Sequence, residues 1–103
     1  MMKNKEFICK LHNAGGQSIL AVCDIAIIGK TIKFRDTDFH VSESFYGKTI
    51  SSKEEILSKA KSADIVNGVG KNAVDLLVKN GFVDEKCVLW LDEKTPHVQI
   101  VRL

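Results

Sequence analysis

An α+β fold is predicted, a small mainly antiparallel sheet with a pair of helices packed on one side. Three observations predict it: alternation near the N-terminus, two capped helical stretches in the middle, and a second extended region at the C-terminal end. At 103 residues the chain reads as one domain over 1–103, long enough for a core without metal or disulfide staples.

Residues 6–12 alternate, with Phe7, Cys9 and Leu11 on one side and Glu6, Lys10 and His12 on the other, Ile8 among them. Asn13-Ala14-Gly15-Gly16 is a turn signal, and residues 17–23 supply a second strand. Simple antiparallel register puts Leu20 and Val22 on the side of Cys9 and Phe7. Asp24 to Gly29 reads as one helical turn, with Asp24 as its N-cap and Gly29 as its stop. Thr31 to Phe34 and Asp38 to Val41 are short extended pieces around a polar turn. Ser42 to Gly47 is a capped single turn ending in two aromatics, and Lys48-Thr49-Ile50 returns to the sheet.

Residues 51–81 predict a helix-turn-helix pair. Ser51 with Glu54 and Ser52 with Glu55 are two overlapping capping-box frames. Ile56, Leu57, Ala60 and Ala63 follow at helical spacing. Asn67-Gly68-Val69-Gly70 is read as the join. Val74, Leu77 and Val78 form the stripe of the second helix, which Asn80-Gly81 closes with a left-handed cap and Phe82 as its hydrophobic contact. Cys87 to Leu91 and His97 to Leu103 predict two strands around the turn at residues 92–96.

Composition excludes several classes. Lys and Arg number 15 against 13 Asp and Glu, a formal charge of +2, so nucleic-acid binding needs a local patch rather than a global field. Two basic concentrations stand out: residues 29–35, and Lys59, Lys61, Lys71 and Lys79 across the helix pair. The plain alternative for each is a solvated face. Three cysteines without a Cys-x-x-Cys pair argue against a zinc ribbon or a disulfide framework and fit a reducing cytoplasm. No stretch has the apolar length of a membrane span, and residues 1–6 lack the apolar run of a signal peptide. No metal and no cofactor are expected.

Several strings in order carry a family resemblance: Cys23-Asp24 with Gly29-Lys30 beyond, Phe45-Tyr46-Gly47, Asn67 with Val69-Gly70, Ala73-Val74, and Pro96-His97 with Gln99. Together, from about Phe7 to Gln99, they resemble the archaeal family known as domain of unknown function 424. Gly68 departs from the pattern, which has an aliphatic residue there. The resemblance implies an archaeal source, a cytoplasmic α+β domain and a link to RNA or translation, with no catalytic residues.

The candidate chemistry is read from the residues themselves. Lys30, Asn67, Gly70 and Lys71 are candidate RNA or phosphate contacts, because a helix opened by glycine offers free amides beside a lysine. A tight turn between packed helices is the bland reading of the same residues. Tyr46, with Phe45 and Lys48 beside it, is a candidate stacking platform. The alternative has Phe45 plugging the core and Tyr46 covering its edge. His97 and Gln99, two apart on one strand, can contact a base or a partner. Catalysis would need Cys23 and His97 to meet as a thiol–base pair; an apolar setting makes Cys23 inert instead. The preferred function is a non-catalytic RNA-binding or ribosome-associated module, and the rivals are a protein-interaction adaptor and a small enzyme using Cys23 and His97.

Overall fold

A computed structural model describes residues 7–102; Glu6 and Leu103, expected at strand ends, lie outside the described residues, as does the rest of the N-terminal stretch 1–6. Among the described residues eight strands are present: β1 Phe7–Ala14, β2 Gln17–Asp24, β3 Thr31–Phe34, β4 Thr37–His40, β5 Thr49–Ser51, β6 Ile65–Val69, β7 Leu89–Trp90 and β8 Pro96–Val101. Three α-helices accompany them: α1 Glu43–Tyr46, α2 Lys53–Ser62 and α3 Lys71–Lys79. Six strands form one sheet in the order β5-β1-β2-β6-β8-β7, and β3 and β4 form a separate hairpin. Every neighbour pair in the large sheet is antiparallel except β2 with β6.

The β1–β2 hairpin follows from its sequence. Gly15 and Gly16 both take positive φ, 59° and 82°, which a two-residue turn matched to strand twist requires. Cys9 pairs with Val22 and Leu11 with Leu20, the register the alternation predicts. Phe7, Cys9, Leu20 and Val22 therefore enter one core with Ile56, Ala60, Ala73, Val74 and Leu77 of α2 and α3. The alternate residues Ala21, Cys23 and Val69 enter a second core on the opposite face, beneath α1 and the β3–β4 hairpin, with Ile32, Val41 and Tyr46. The sheet is thus covered on both faces, and α2 and α3 share one of them.

Local signals start and stop the helices. Ser52 and Glu55 complete the capping box of α2. Ser51, the other frame, is buried and paired with Cys9 Sγ at 3.3 Å. Arg102 closes α2 at its other end, donating to Ala60 O at 2.6 Å and Ala63 O at 3.0 Å. Gly81 at φ 77° ends α3, with Phe82 N–H donating to Leu77 O and Gly81 N–H to Val78 O, the Schellman pattern.

The segment 51–81 is a helix–strand–helix unit, which corrects the predicted helix-turn-helix pair. Residues 65–69 form β6, a central strand paired with β2 on one side and β8 on the other. Gly68 lies inside that strand. A Cβ there would fall 2.9 Å from Leu77 Cδ1 and 3.4 Å from Val98 Cγ2, so the missing side chain is what lets α3 pack this close. The C-terminal strand pair is also shorter than predicted, because a 3₁₀ turn at Glu85–Cys87 leaves only Leu89 and Trp90 to pair with β8. Among the described residues no helix is long and apolar enough to cross a membrane.

Candidate nucleic-acid interface

The parallel strands β2 and β6 end side by side, at Asp24 and Val69. From there β2 leads toward the hairpin on one face of the sheet, and β6 leads through Gly70 into α3 on the other. Such a switch point leaves a crevice beyond the strand ends, and the opening amides of α3 face it. Asp24 fills it. Its carboxylate oxygens accept from Asn72 N–H at 2.9 Å and Ala73 N–H at 2.7 Å, and the residue is only 8% exposed. Burial raises its pKa above the ordinary 3.8, while the two amides pull it back down. Asp24 is a helix cap, but of α3; its side chain makes no cap bond to the 3₁₀ turn at Ile25–Ile27 that follows it.

This corrects the cradle expected at Gly70 and Lys71. The position a phosphate would take holds a carboxylate of the chain itself, and Gly70 is buried beside it. Gly70 has φ 108°, and a Cβ there would lie 2.5 Å from Asp24 Cγ. Its role is to admit the cap. Lys71 is exposed on the first turn of α3, bordering a groove of about 320 Å³ with Val74, Val88, Trp90 and Pro96. Lys30 is exposed between the 3₁₀ turn and β3, and lines neither this groove nor the larger cleft described below.

Tyr46, Asn67 and Gln99 do come together, as a hydrogen-bonded row. Tyr46 O–H donates to Asn67 Oδ1 at 2.6 Å, and Asn67 Nδ2 donates to Gln99 Oε1 at 2.9 Å. Tyr46 is 2% exposed and Asn67 9%, so neither is placed for direct contact with a base or a phosphate. Burial pushes the Tyr46 phenol well above its ordinary pKa, which fits an uncharged donor held by Asn67. Gln99 is exposed on the same face of β8 as His97. His97 is half-buried, edge-on to Phe39 with ring centroids 5.1 Å apart. Its Nε2 is buried without a hydrogen-bond partner among the described residues, and burial lowers its pKa below 6.5.

Cys23 and His97 are separated by β6: Cys23 pairs with Val69, and Val69 with His97. Two strand spacings, about 10 Å, divide their backbones. The Cys23 thiol donates to Asp24 O at 3.1 Å, and its pKa is pushed up to about 12 by burial and then by the Asp24 charge. That is the chemistry of an inert core thiol rather than a nucleophile. Among the described residues no three of His, Cys, Asp and Glu gather as a metal site.

A cleft of about 560 Å³ lies at the other edge of the sheet. Among the described residues β5 pairs with Phe7–Cys9 of β1, and from Lys10 to Ala14 β1 runs on without β5. The step between them is lined by Lys10 of β1, Lys48 before β5 and Lys59 of α2, with Glu43 and Ser44 of α1. Gly47 closes its floor; with φ 85° it lies against β1, where a Cβ would come 2.9 Å from Lys10 Cβ. Lys10 Nζ donates to Ser44 O at 3.1 Å, and Lys48 reaches Glu43 at 3.8 Å with both side chains more than half exposed. Lys59 Nζ lies 3.9 Å from Cys9 Sγ. The two arginines are engaged in structure: Arg102 on α2, and Arg35 over the Phe34 ring at 4.8 Å. Beside the cleft, Phe45 stacks on His12 with centroids 5.0 Å apart and planes at 18°. His12 Nε2 pairs with Phe45 O at 2.7 Å, and both residues are half-buried. The aromatic pair thus inverts the expected roles, with Tyr46 in the core and Phe45 at the surface. In the sequence Lys48 stands near Phe45 and Lys59 among the helix lysines, while nothing local marks Lys10 or His12.

Comparison with solved structures finds the same fold in a crystal structure of an uncharacterized conserved protein from Methanopyrus kandleri. The TM-score is 0.78 at 24% identity, over 95% of this chain and 94% of that one. No curated protein matches the chain. A family model described as "Protein of unknown function (DUF424)" matches residues 12–103. With that match over most of its length, and with the strings from Cys23-Asp24 to Gln99 in place, the chain belongs to the DUF424 family.

Proposed function

We propose that this is a non-catalytic RNA-binding module of the archaeal cytoplasm, associated with translation, that holds the sugar-phosphate backbone in the cleft between β5 and α2. The observation that carries the reading is the convergence of Lys10, Lys48 and Lys59, from three separate parts of the chain, on one cleft of about 560 Å³. Mobile ammonium groups around a concave wall favour phosphate without reading sequence. Lys30 and Lys71, both exposed, are outlying phosphate contacts in this proposal, with Gln99 and His97, three strands from β1 on the face that carries Lys10, as a partner contact.

Binding driven by counterion release weakens linearly in log affinity against log salt, with a slope near 0.7 per phosphate contact on single strands. Filter binding of total archaeal RNA across a salt series is expected to show this. Lys10→Ala, Lys48→Ala and Lys59→Ala are each expected to lower the slope by about 0.7. Glu43→Gln, which removes the acidic group from the cleft, is expected to tighten binding. Absent or salt-insensitive binding overturns the RNA reading.

One observation favours a protein-interaction adaptor instead. Trp90 is 54% exposed, at a sheet margin that also exposes Leu89 and Val101. An adaptor would retain its partner at high salt, where the lysine cleft would not.

A further inference from the structure

The cleft and the aromatic pair beside it belong to one surface. Lys10 and His12 are two apart on β1, so their side chains leave the same face of the strand about 7 Å apart. Phe45, stacked on His12, follows directly after Ser44, whose carbonyl holds Lys10. Lys48 is three residues beyond Phe45, across the Gly47 turn. A flat, half-exposed pair of rings therefore adjoins the cationic wall. The cleft has the volume of a site for a ligand of nucleotide size.

We infer that the ligand of this site is single-stranded RNA, with an unpaired base stacked on the His12–Phe45 pair while the adjoining phosphate sits among Lys10, Lys48 and Lys59. This rests on the RNA reading above and narrows it. A-form duplex keeps its bases stacked inside and offers none to a ring platform, whereas single strands present every base face. The site then selects for strandedness and tolerates any sequence. The hydrogen bond from His12 to the Phe45 carbonyl fixes the two rings relative to each other, so the platform is formed before the base arrives.

The test uses a ten-nucleotide RNA in three forms: single-stranded, duplex, and single-stranded with abasic sites at every position. Fluorescence anisotropy is expected to show the single strand binding at least fivefold tighter than the other two, from one stacked base. His12→Ala is expected to lose that preference, and His12→Phe, which keeps a ring, to restore it. The abasic strand retains all phosphates. Equal affinity for all three forms, with a salt slope that still falls in Lys48→Ala, overturns the stacking inference and leaves the RNA reading standing. No salt-dependent binding of any form overturns both.

Discussion

Asp24→Ala is expected to destabilise the fold by about 3 kcal/mol, since two amides at the start of α3, one buried and one part-buried, lose their charged acceptor together. The Asn72 and Ala73 N–H groups have no alternative partner in the helix, because the first turn of any helix leaves its amides free. The carboxylate also opposes the positive end of the helix dipole. Urea unfolding followed by circular dichroism measures the loss as a lower midpoint. Asp24→Asn retains one acceptor oxygen and is expected to lose less. Acid titration gives a second readout. The native pKa lies above 3.8, so the folded chain holds this proton more tightly than the unfolded chain. Its contribution to stability is greatest below 3.8 and declines as pH rises through the native pKa. Asp24→Ala is expected to remove that decline. An unfolding free energy within about 0.5 kcal/mol of the parent's, the size of an ordinary surface change, would show that the cap does not hold α3 to the sheet.

Gly70→Ala is expected to cost at least as much, about 3 kcal/mol or more, from two causes. The φ of 108° is strained for any residue with a side chain. The new methyl would also sit 2.5 Å from Asp24 Cγ, a backbone-fixed group meeting a buried one that has nowhere to go. The two sites are in contact, so their effects do not add. In the double variant the two closest clashes, with Asp24 Cγ and Oδ1, are gone, while the approach to Cβ at 2.8 Å and the dihedral strain remain. The cost of Gly70→Ala is therefore expected to be smaller in the Asp24→Ala background than in the parent. A simple sum of the two would mean that Gly70 serves the turn alone and not the approach of the carboxylate.

Legibility in the sequence followed the range of the interaction. The β1–β2 register was readable because a period of two and a Gly-Gly turn are both local. The capping box at Ser52 and the Schellman end at Gly81 were readable for the same reason. β6 was missed because Asn67, Gly68 and Gly70 resemble a turn when taken alone. In the fold they suit a central strand: Gly68 makes room for Leu77, and Asn67 is satisfied by Tyr46 and Gln99. Asp24 was read as a cap, yet its helix lies 48 residues further on, a distance no local pattern encodes. The basic cleft was hidden for a related reason. Lys10, Lys48 and Lys59 meet only because β5 folds back beside β1 and α2 then crosses that edge.

Amide chemical-shift mapping during titration with a short single-stranded RNA tests the whole account in one spectrum. Two candidate anion-binding places are set against each other in this chain: the amide end of α3, which Asp24 already occupies, and the lysine-lined step between β5 and β1 proposed above. Shifts are expected at Lys10, His12, Ser44, Gly47, Lys48 and Lys59, with Gly70, Asn72 and Ala73 unmoved. Shifts centred on Gly70 to Ala73, with the Lys48 region silent, would mean that the ligand displaces Asp24 and that the site has been put on the wrong edge of the sheet.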